Sequence, residues 1–90
     1  MSASEQEIIL RARRDLAQRL GVSEDDIEES VEQVDFPNAA LGAPIEDEMS
    51  AQVITPGWRI RLSAQNRSYE YRATGKQLRL VNFEGRNQRI

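Results

Sequence analysis

The chain has 90 residues, of which 39% are hydrophobic and 30% are charged, a composition that favours a single folded domain spanning residues 1–90. It contains no cysteine and no histidine. These absences exclude disulfides, thiolate nucleophiles, zinc sites with sulfur ligands and serine–histidine triads. We therefore expect a protein that is not an enzyme and that uses no cofactor or metal. An enzyme that works without histidine or cysteine is the third functional hypothesis, after the two described below.

The sequence has no apolar run approaching the roughly 20 residues that a membrane crossing needs. Its N-terminus also lacks the basic start and apolar stretch of a secretory signal. We therefore expect a cytoplasmic protein with no membrane partner.

Charge is divided unevenly along the chain. Residues 1–55 carry 13 acidic residues and four arginines, whereas residues 56–90 carry eight basic and two acidic residues. Such an asymmetry can mark a surface for nucleic acid or membrane. In a compact domain it more often means that the two halves neutralise each other across the fold, and we favour this interpretation.

The first predicted element is a helix over residues 4–20. Ser4 followed by Glu7 fits a capping box, and Gly21 fits a left-handed C-cap. Apolar residues recur between these caps at helical spacing. They are Ile9, Ala12, Leu16 and Leu20.

The segment at residues 27–36 is ambiguous. Ser23 followed by acidic residues is a good helix start, and Ile27, Val31 and Val34 keep helical spacing. Val34 and Phe36 alternate as in a strand. The local pattern leaves helix and strand open.

The C-terminal third predicts an antiparallel meander over residues 57–83. Apolar and aromatic residues alternate with polar ones in three runs, and the segments AQNR and TGK between them are typical of turns. The alternating residues are Trp58, Ile60 and Leu62, then Tyr69 and Tyr71, then Leu78 and Leu80. We expect an α+β fold in which the N-terminal helix packs on a three- to four-stranded antiparallel sheet.

Residues 84–90 show no periodicity, so we expect a frayed tail there. A sheet of this kind has open edges, through which two copies can pair. We therefore expect a monomer or a weak homodimer.

Residues 37–55 form a long loop that could include a short strand. Pro56 and Gly57 at its end predict a type II turn, with positive φ at the glycine, that starts the Trp58 strand. Gly42 and Pro44 predict another turn inside the loop, with Leu41 or Phe36 held in the core.

Five blocks along the chain resemble a family of small uncharacterised domains common in cyanobacteria and other bacteria. The family pattern reads DLA-x-RLGV, Trp-Pro, LGCP, TPGY-x-I-x-L and Y-x-Y. The matching positions are Asp15–Val22, Phe36–Pro37, Leu41–Pro44, Thr55–Trp58, and Tyr69 with Tyr71. The resemblance implies a fold and a loop but no activity, and it favours a strand for residues 28–35.

Two departures from that pattern are evident. Ala43 stands where the family has a cysteine, and a cysteine often found after the last strand is also missing. Phe36 stands where the family has a tryptophan, so the position keeps an aromatic side chain of smaller area.

The leading functional hypothesis is a small binding module that contacts another protein through the loop between Phe36 and Trp58. A loop of this length in a small domain is unusual unless it is functional or disordered. The candidate contact residues combine apolar and acidic side chains. They are Leu41, Ile45, Glu46, Asp47, Glu48 and Met49. A mobile loop without a partner is the equally weighted alternative.

The second hypothesis is nucleic-acid binding through basic residues beside exposed aromatics on the sheet. Its residues are Arg59, Arg61, Arg67, Tyr69 and Arg72. A pI near 4.9 argues against it. The acidic runs at residues 24–29 and 46–48 lack the spacing of a calcium loop and are interpreted as solvated charge.

Overall fold

The computed structural model describes residues 3–90, which form one α-helix and five strands joined into a single sheet. The elements are α1 (Glu5–Leu20), a short 3₁₀ turn (Glu24–Asp26), β1 (Glu28–Phe36), β2 (Thr55–Ala64), β3 (Arg67–Ala73), β4 (Leu78–Phe83) and β5 (Arg86–Arg89). The strands are all antiparallel and lie in the order β1-β2-β3-β4-β5. The predicted α+β fold is confirmed, with five strands instead of three or four.

Helix α1 begins and ends at residues that satisfy its terminal main-chain groups. The amide of Glu7 donates to the Oγ of Ser4 across 3.2 Å. Gly21 takes a left-handed φ of 67°, and its amide donates to the carbonyl of Ala17. The buried residues of the helix lie on one face. They are Ile8, Ile9, Ala12, Leu16 and Ala17.

The main core lies between this face of α1 and one face of the sheet, where Tyr71 is fully buried. The Tyr71 hydroxyl donates to Oδ2 of Asp15 across 2.7 Å, and Arg19 donates to the same oxygen. Burial, together with the neighbouring Asp15 carboxylate, raises the pKa of Tyr71 far above its ordinary value. The hydroxyl therefore stays protonated and joins α1 to β3.

The ambiguous segment at residues 27–36 contributes strand β1. Nine consecutive residue pairs join β1 to β2, from Glu28 opposite Ser63 to Phe36 opposite Thr55. Most β1 side chains are exposed, so their helical spacing does not reflect a buried helix face. Pairing with a strand distant in sequence decides the conformation, which is why the local pattern was insufficient.

The prediction of a type II turn at Pro56 and Gly57 is wrong, because both residues lie inside β2 and Gly57 does not have a positive φ. Glycine is needed here for space. A Cβ at position 57 would lie 2.2 Å from the carbonyl oxygen of Ala73 and 3.1 Å from the ring of Phe36. The close approach of the neighbouring strands β1 and β3 therefore explains the glycine at position 57.

The prediction of a frayed tail at residues 84–90 is also wrong. Glu84 and Gly85 turn the chain with positive φ values of 54° and 82°, and Arg86–Arg89 then pair with β4. The amide of Ile90 donates to the carbonyl of Leu78 across 2.9 Å. Strand β5 is short and its register shifts along β4, so it produces no clear alternation in the sequence.

The close contact at Gly57 leads to a stability prediction. Replacing Gly57 by Ala should lower the free energy of unfolding by about 2–3 kcal/mol, because the new methyl group overlaps the main chain of β3. Gly21→Ala is the control, since its left-handed φ costs about 1 kcal/mol but nothing lies within 4 Å of the added Cβ. Urea unfolding measures both, and a Gly57→Ala loss no larger than the Gly21→Ala loss would contradict the steric explanation.

Candidate functional site

The sheet face opposite α1 carries a row of four arginines that lie opposite one another across neighbouring strands. The row, named here the arginine row, consists of Arg59 on β2, Arg72 on β3, Arg79 on β4 and Arg89 on β5. Like charges that face each other in a sheet repel, so the row needs carboxylates or other acceptors close by. The long loop at residues 37–54 supplies several of them.

Arg79 is the central residue of this arrangement, since only 2% of its surface is exposed. Its Nη1 and Nη2 atoms donate to the two carboxylate oxygens of Glu48 across 2.6 Å and 2.7 Å. Nη1 also donates to the carbonyl of Ala43 across 3.2 Å. The hydrogen bonds from Arg79 lower the pKa of Glu48 from 4.5 to about 2. A buried arginine and a loop carboxylate therefore form a two-pronged ion pair.

Two further side chains of the sheet, and one from the turn between β3 and β4, donate to carbonyls of the loop. Arg72 bonds the carbonyl of Leu41 across 2.9 Å, and Gln77 bonds that of Ala39 across 2.8 Å. Asn87 on β5 bonds the carbonyl of Pro44 across 2.9 Å. The first part of the loop is therefore held on the sheet from β3 to β5.

A second set of buried apolar residues, at the end of β1 and in the loop, is not part of the core beneath α1. It consists of Phe36, Ala40, Leu41 and Ala43. The guanidinium of Arg72 lies 5.7 Å from the centroid of the Phe36 ring while it bonds the Leu41 carbonyl. The loop thus buries apolar surface as well as charged groups. Leu41 and Phe36 are both buried, as the sequence suggested.

Turns inside the loop are closed by its own side chains. The Oδ1 atom of Asn38 accepts from the amides of Ala40 and Gly42 across 2.9 Å and 3.2 Å. Gly42 has a φ of 66°, and a Cβ there would lie 2.8 Å from Nη1 of Arg72. Glycine at this position therefore permits both the turn and the contact with Arg72.

The outer part of the loop carries exposed apolar side chains. Met49 is 96% exposed, Ile54 is 74% exposed and Val53 is 55% exposed. Glu46 and Asp47 precede them and are also exposed. These five residues, named here the loop rim, are the exposed apolar and acidic side chains of this part of the loop.

The loop residues expected to contact a partner occupy different environments. Leu41 is fully buried, and Glu48 is half-buried and bound by Arg79, so neither side chain is free to contact a partner. Ile45 is half-buried, whereas Glu46, Asp47 and Met49 are exposed. The exposed residues Val53 and Ile54 were not among the predicted contact residues, because an apolar pair just before a strand is typical of a buried strand start.

The residues of the nucleic-acid hypothesis do not form one surface. Arg59, Arg61 and Arg72 lie on the face opposite α1, and all three approach Glu70, at 3.5 Å, 4.0 Å and 2.7 Å. Arg59 also pairs with Glu32 across 2.8 Å. This face is therefore largely neutralised by its own carboxylates.

The other two residues of that hypothesis, Arg67 and Tyr69, lie near the edge of the face that α1 covers. Arg67 is exposed, while Tyr69 is half-buried and packs on Phe83 with ring centroids 6.1 Å apart. The guanidinium of Arg19 lies 5.2 Å from the Phe83 centroid. Tyr69 is therefore part of a structural aromatic contact.

Within residues 3–90, no group of three or more side chains of the kinds that bind metals comes together. The same part of the chain has no helix that is both long and apolar enough to cross a membrane.

The described residues thus form an α+β domain whose long loop is docked on the sheet face opposite the helix. A family model for a domain of unknown function, DUF8738, matches residues 9–81. The match covers most of the chain, and the chain belongs to this family. Comparisons with curated proteins and with solved structures find no match.

The pair of Glu48 and Arg79 leads to a prediction about pH. Because the pKa of Glu48 is lowered in the folded protein, the pair contributes stability above about pH 4.5 and loses it as the pH falls towards about 2. Glu48→Gln should therefore lower the free energy of unfolding at neutral pH by about 1.5–3 kcal/mol. The difference from wild type should shrink between about pH 4.5 and about pH 2.

The measurement is chemical unfolding of wild type and variant at a series of pH values. Glu46→Gln is the control, because Glu46 is an exposed neighbour that makes no ion pair within residues 3–90. A Glu48→Gln difference that does not change with pH would contradict the assignment.

Proposed function

We propose that this protein is a non-catalytic interaction module that binds another protein through the loop rim, and that it acts in the cytoplasm. The observation that supports the proposal is the exposure of Met49, Val53 and Ile54 on a loop held in place by sheet side chains. Exposed apolar side chains that lie together are typical of protein-interaction surfaces, and Val53 and Ile54 are neighbours in the chain.

The way the loop is held favours binding. A loop that must be ordered on binding loses conformational entropy and therefore affinity. Here Arg72, Gln77, Arg79 and Asn87 already fix the first part of the loop through hydrogen bonds to it. Glu46, Asp47 and Met49 are next to Glu48 in the chain, so this part of the rim adjoins a residue that Arg79 holds.

The charges of the rim indicate the kind of partner. Glu46 and Asp47 stand beside the apolar side chains and make no ion pair within residues 3–90. A complementary surface has an apolar cavity bordered by basic residues. A second copy that used the same surface would bring the acidic residues of both rims together, so we propose a monomer that binds a different protein.

The test is a variant in which Met49, Val53 and Ile54 are replaced by Ser. Partners captured from a cell extract are identified, and the Kd of the purified pair is measured for wild type and variant. We expect binding to weaken by at least about tenfold, since three apolar contacts are lost. The melting temperature should change little, because these side chains are exposed.

Leu10→Ser is the matched control, because Leu10 is an apolar residue that is 52% exposed on the outer side of α1. This variant should bind as wild type does. A partner that binds the triple variant and wild type with equal Kd would show that the rim is not the contact surface.

A further inference from the structure

The outer edge of β1 is a free strand edge. β1 is first in the strand order and pairs only with β2, so its other side has no partner strand in residues 3–90. Eight of its nine residues are exposed or half-buried. The main-chain amide and carbonyl groups that point away from β2 are therefore accessible to another polypeptide.

This edge is regular enough to accept a strand. Its nine pairs with β2 run without a shift of register, and no proline interrupts it. The opposite edge differs, since β5 has four residues and its register shifts along β4. Of the two edges, only β1 offers a long, evenly spaced row of hydrogen-bonding groups.

The charge of β1 is wholly acidic. Glu28, Glu29, Glu32 and Asp35 lie on it, and it has no basic residue. Glu29 is bound by Arg13, and Glu32 is bound by Arg59. Glu28 and Asp35 make no ion pair within residues 3–90. Charge that the domain does not neutralise therefore remains at both ends of the edge.

A pocket lies beside the end of the strand. It has a volume of about 460 Å³, and its walls include Gln33 and Asp35 of β1 with the half-buried Trp58 of β2. A segment that extends along β1 would pass this pocket and could place a side chain in it. Pockets beside a free edge are how strand-adding domains select among peptides.

We propose that the free edge of β1 binds an extended, basic polypeptide segment, which adds to the sheet as a sixth strand. Main-chain hydrogen bonds hold the segment, and its Lys or Arg residues face the acidic side chains of β1. The surface is separate from the loop rim, and the inference does not depend on the proposed function of the rim.

A second copy of the chain is a poor occupant of this edge. Antiparallel pairing of two β1 strands would set acidic side chains against acidic side chains, and like charges in facing positions destabilise a sheet. The acidic residues thus disfavour self-association and leave the edge open to a basic strand.

The probe is a nine-residue peptide, blocked at both ends, in which Lys alternates with Val and Thr. Titration into the isotope-labelled protein, followed by NMR, should shift the amide signals of residues 28–36 in a way that weakens with added salt. The loop-rim signals should stay in place. No shift at low salt, or shifts that spread over the rim and leave β1 unchanged, would overturn the proposal.

Two control peptides separate strand addition from simple charge attraction. In one, Glu replaces every Lys, and it should not bind. In the other, Pro replaces the central residue without changing the charge, and it should bind at least about fivefold more weakly because an amide donor is lost. Equal binding of the proline peptide would show that no strand is added.

Two protein variants locate the site. Glu28→Lys/Asp35→Lys changes two exposed carboxylates of β1 and should weaken the Kd of the basic peptide at least about fivefold. Glu46→Lys/Asp47→Lys makes the same change in charge on the loop rim and should leave the Kd within about twofold. If the rim variant loses as much affinity as the β1 variant, the edge is not the binding site. The outcome does not bear on whether a different partner uses the rim.

Discussion

The contact between Arg79 and Glu48 is the interaction on which the loop side of this domain depends. An arginine that is 2% exposed must be paired, because an unpaired buried charge is strongly destabilising. Arg79 sits in a row of cationic side chains on the sheet, and no carboxylate of the sheet bonds it. The loop brings Glu48 to it. The sheet is consequently covered on both sides, by α1 on one face and by the loop on part of the other.

The blocks that carry the family resemblance are explained largely by architecture. Asp15 accepts the hydrogen bond of Tyr71, and Gly21 ends the helix. Gly42 and Gly57 allow close approaches that a Cβ would prevent. The residues of the loop rim lie outside those blocks. The proposed surfaces rest on exposure, charge and strand order in this chain.

The features that could be predicted from the sequence are those set by local physics. The caps at Ser4 and Gly21 define α1, and alternation defines the three strands at residues 57–83. Helix or strand at β1 is decided by pairing with β2, which a local pattern does not record. The role of Gly57 cannot be predicted from the local sequence either, because the residue that requires the space is Ala73 on another strand.

The sequence predicts only part of the candidate site, because contacts between distant residues decide which loop side chains are exposed. An acidic run at residues 46–48 is visible in the sequence, but its three carboxylates lie in different environments. Glu48 is bound to Arg79, 31 residues further along the chain, whereas Glu46 and Asp47 stay exposed. No local signal distinguishes them, because the distinction depends on which loop residue reaches the arginine row.

Ion pairs between distant residues also explain part of the uneven distribution of charge along the chain. Glu48 with Arg79, and Glu32 with Arg59, each join an acidic residue of the first half to an arginine of the second. Internal neutralisation therefore accounts for part of the asymmetry. Among the acidic residues that make no ion pair within residues 3–90, Glu28 and Asp35 lie on β1, and Glu46 and Asp47 lie on the loop rim. Since each surface carries negative charge that the domain does not neutralise, basic partners suit each of them separately.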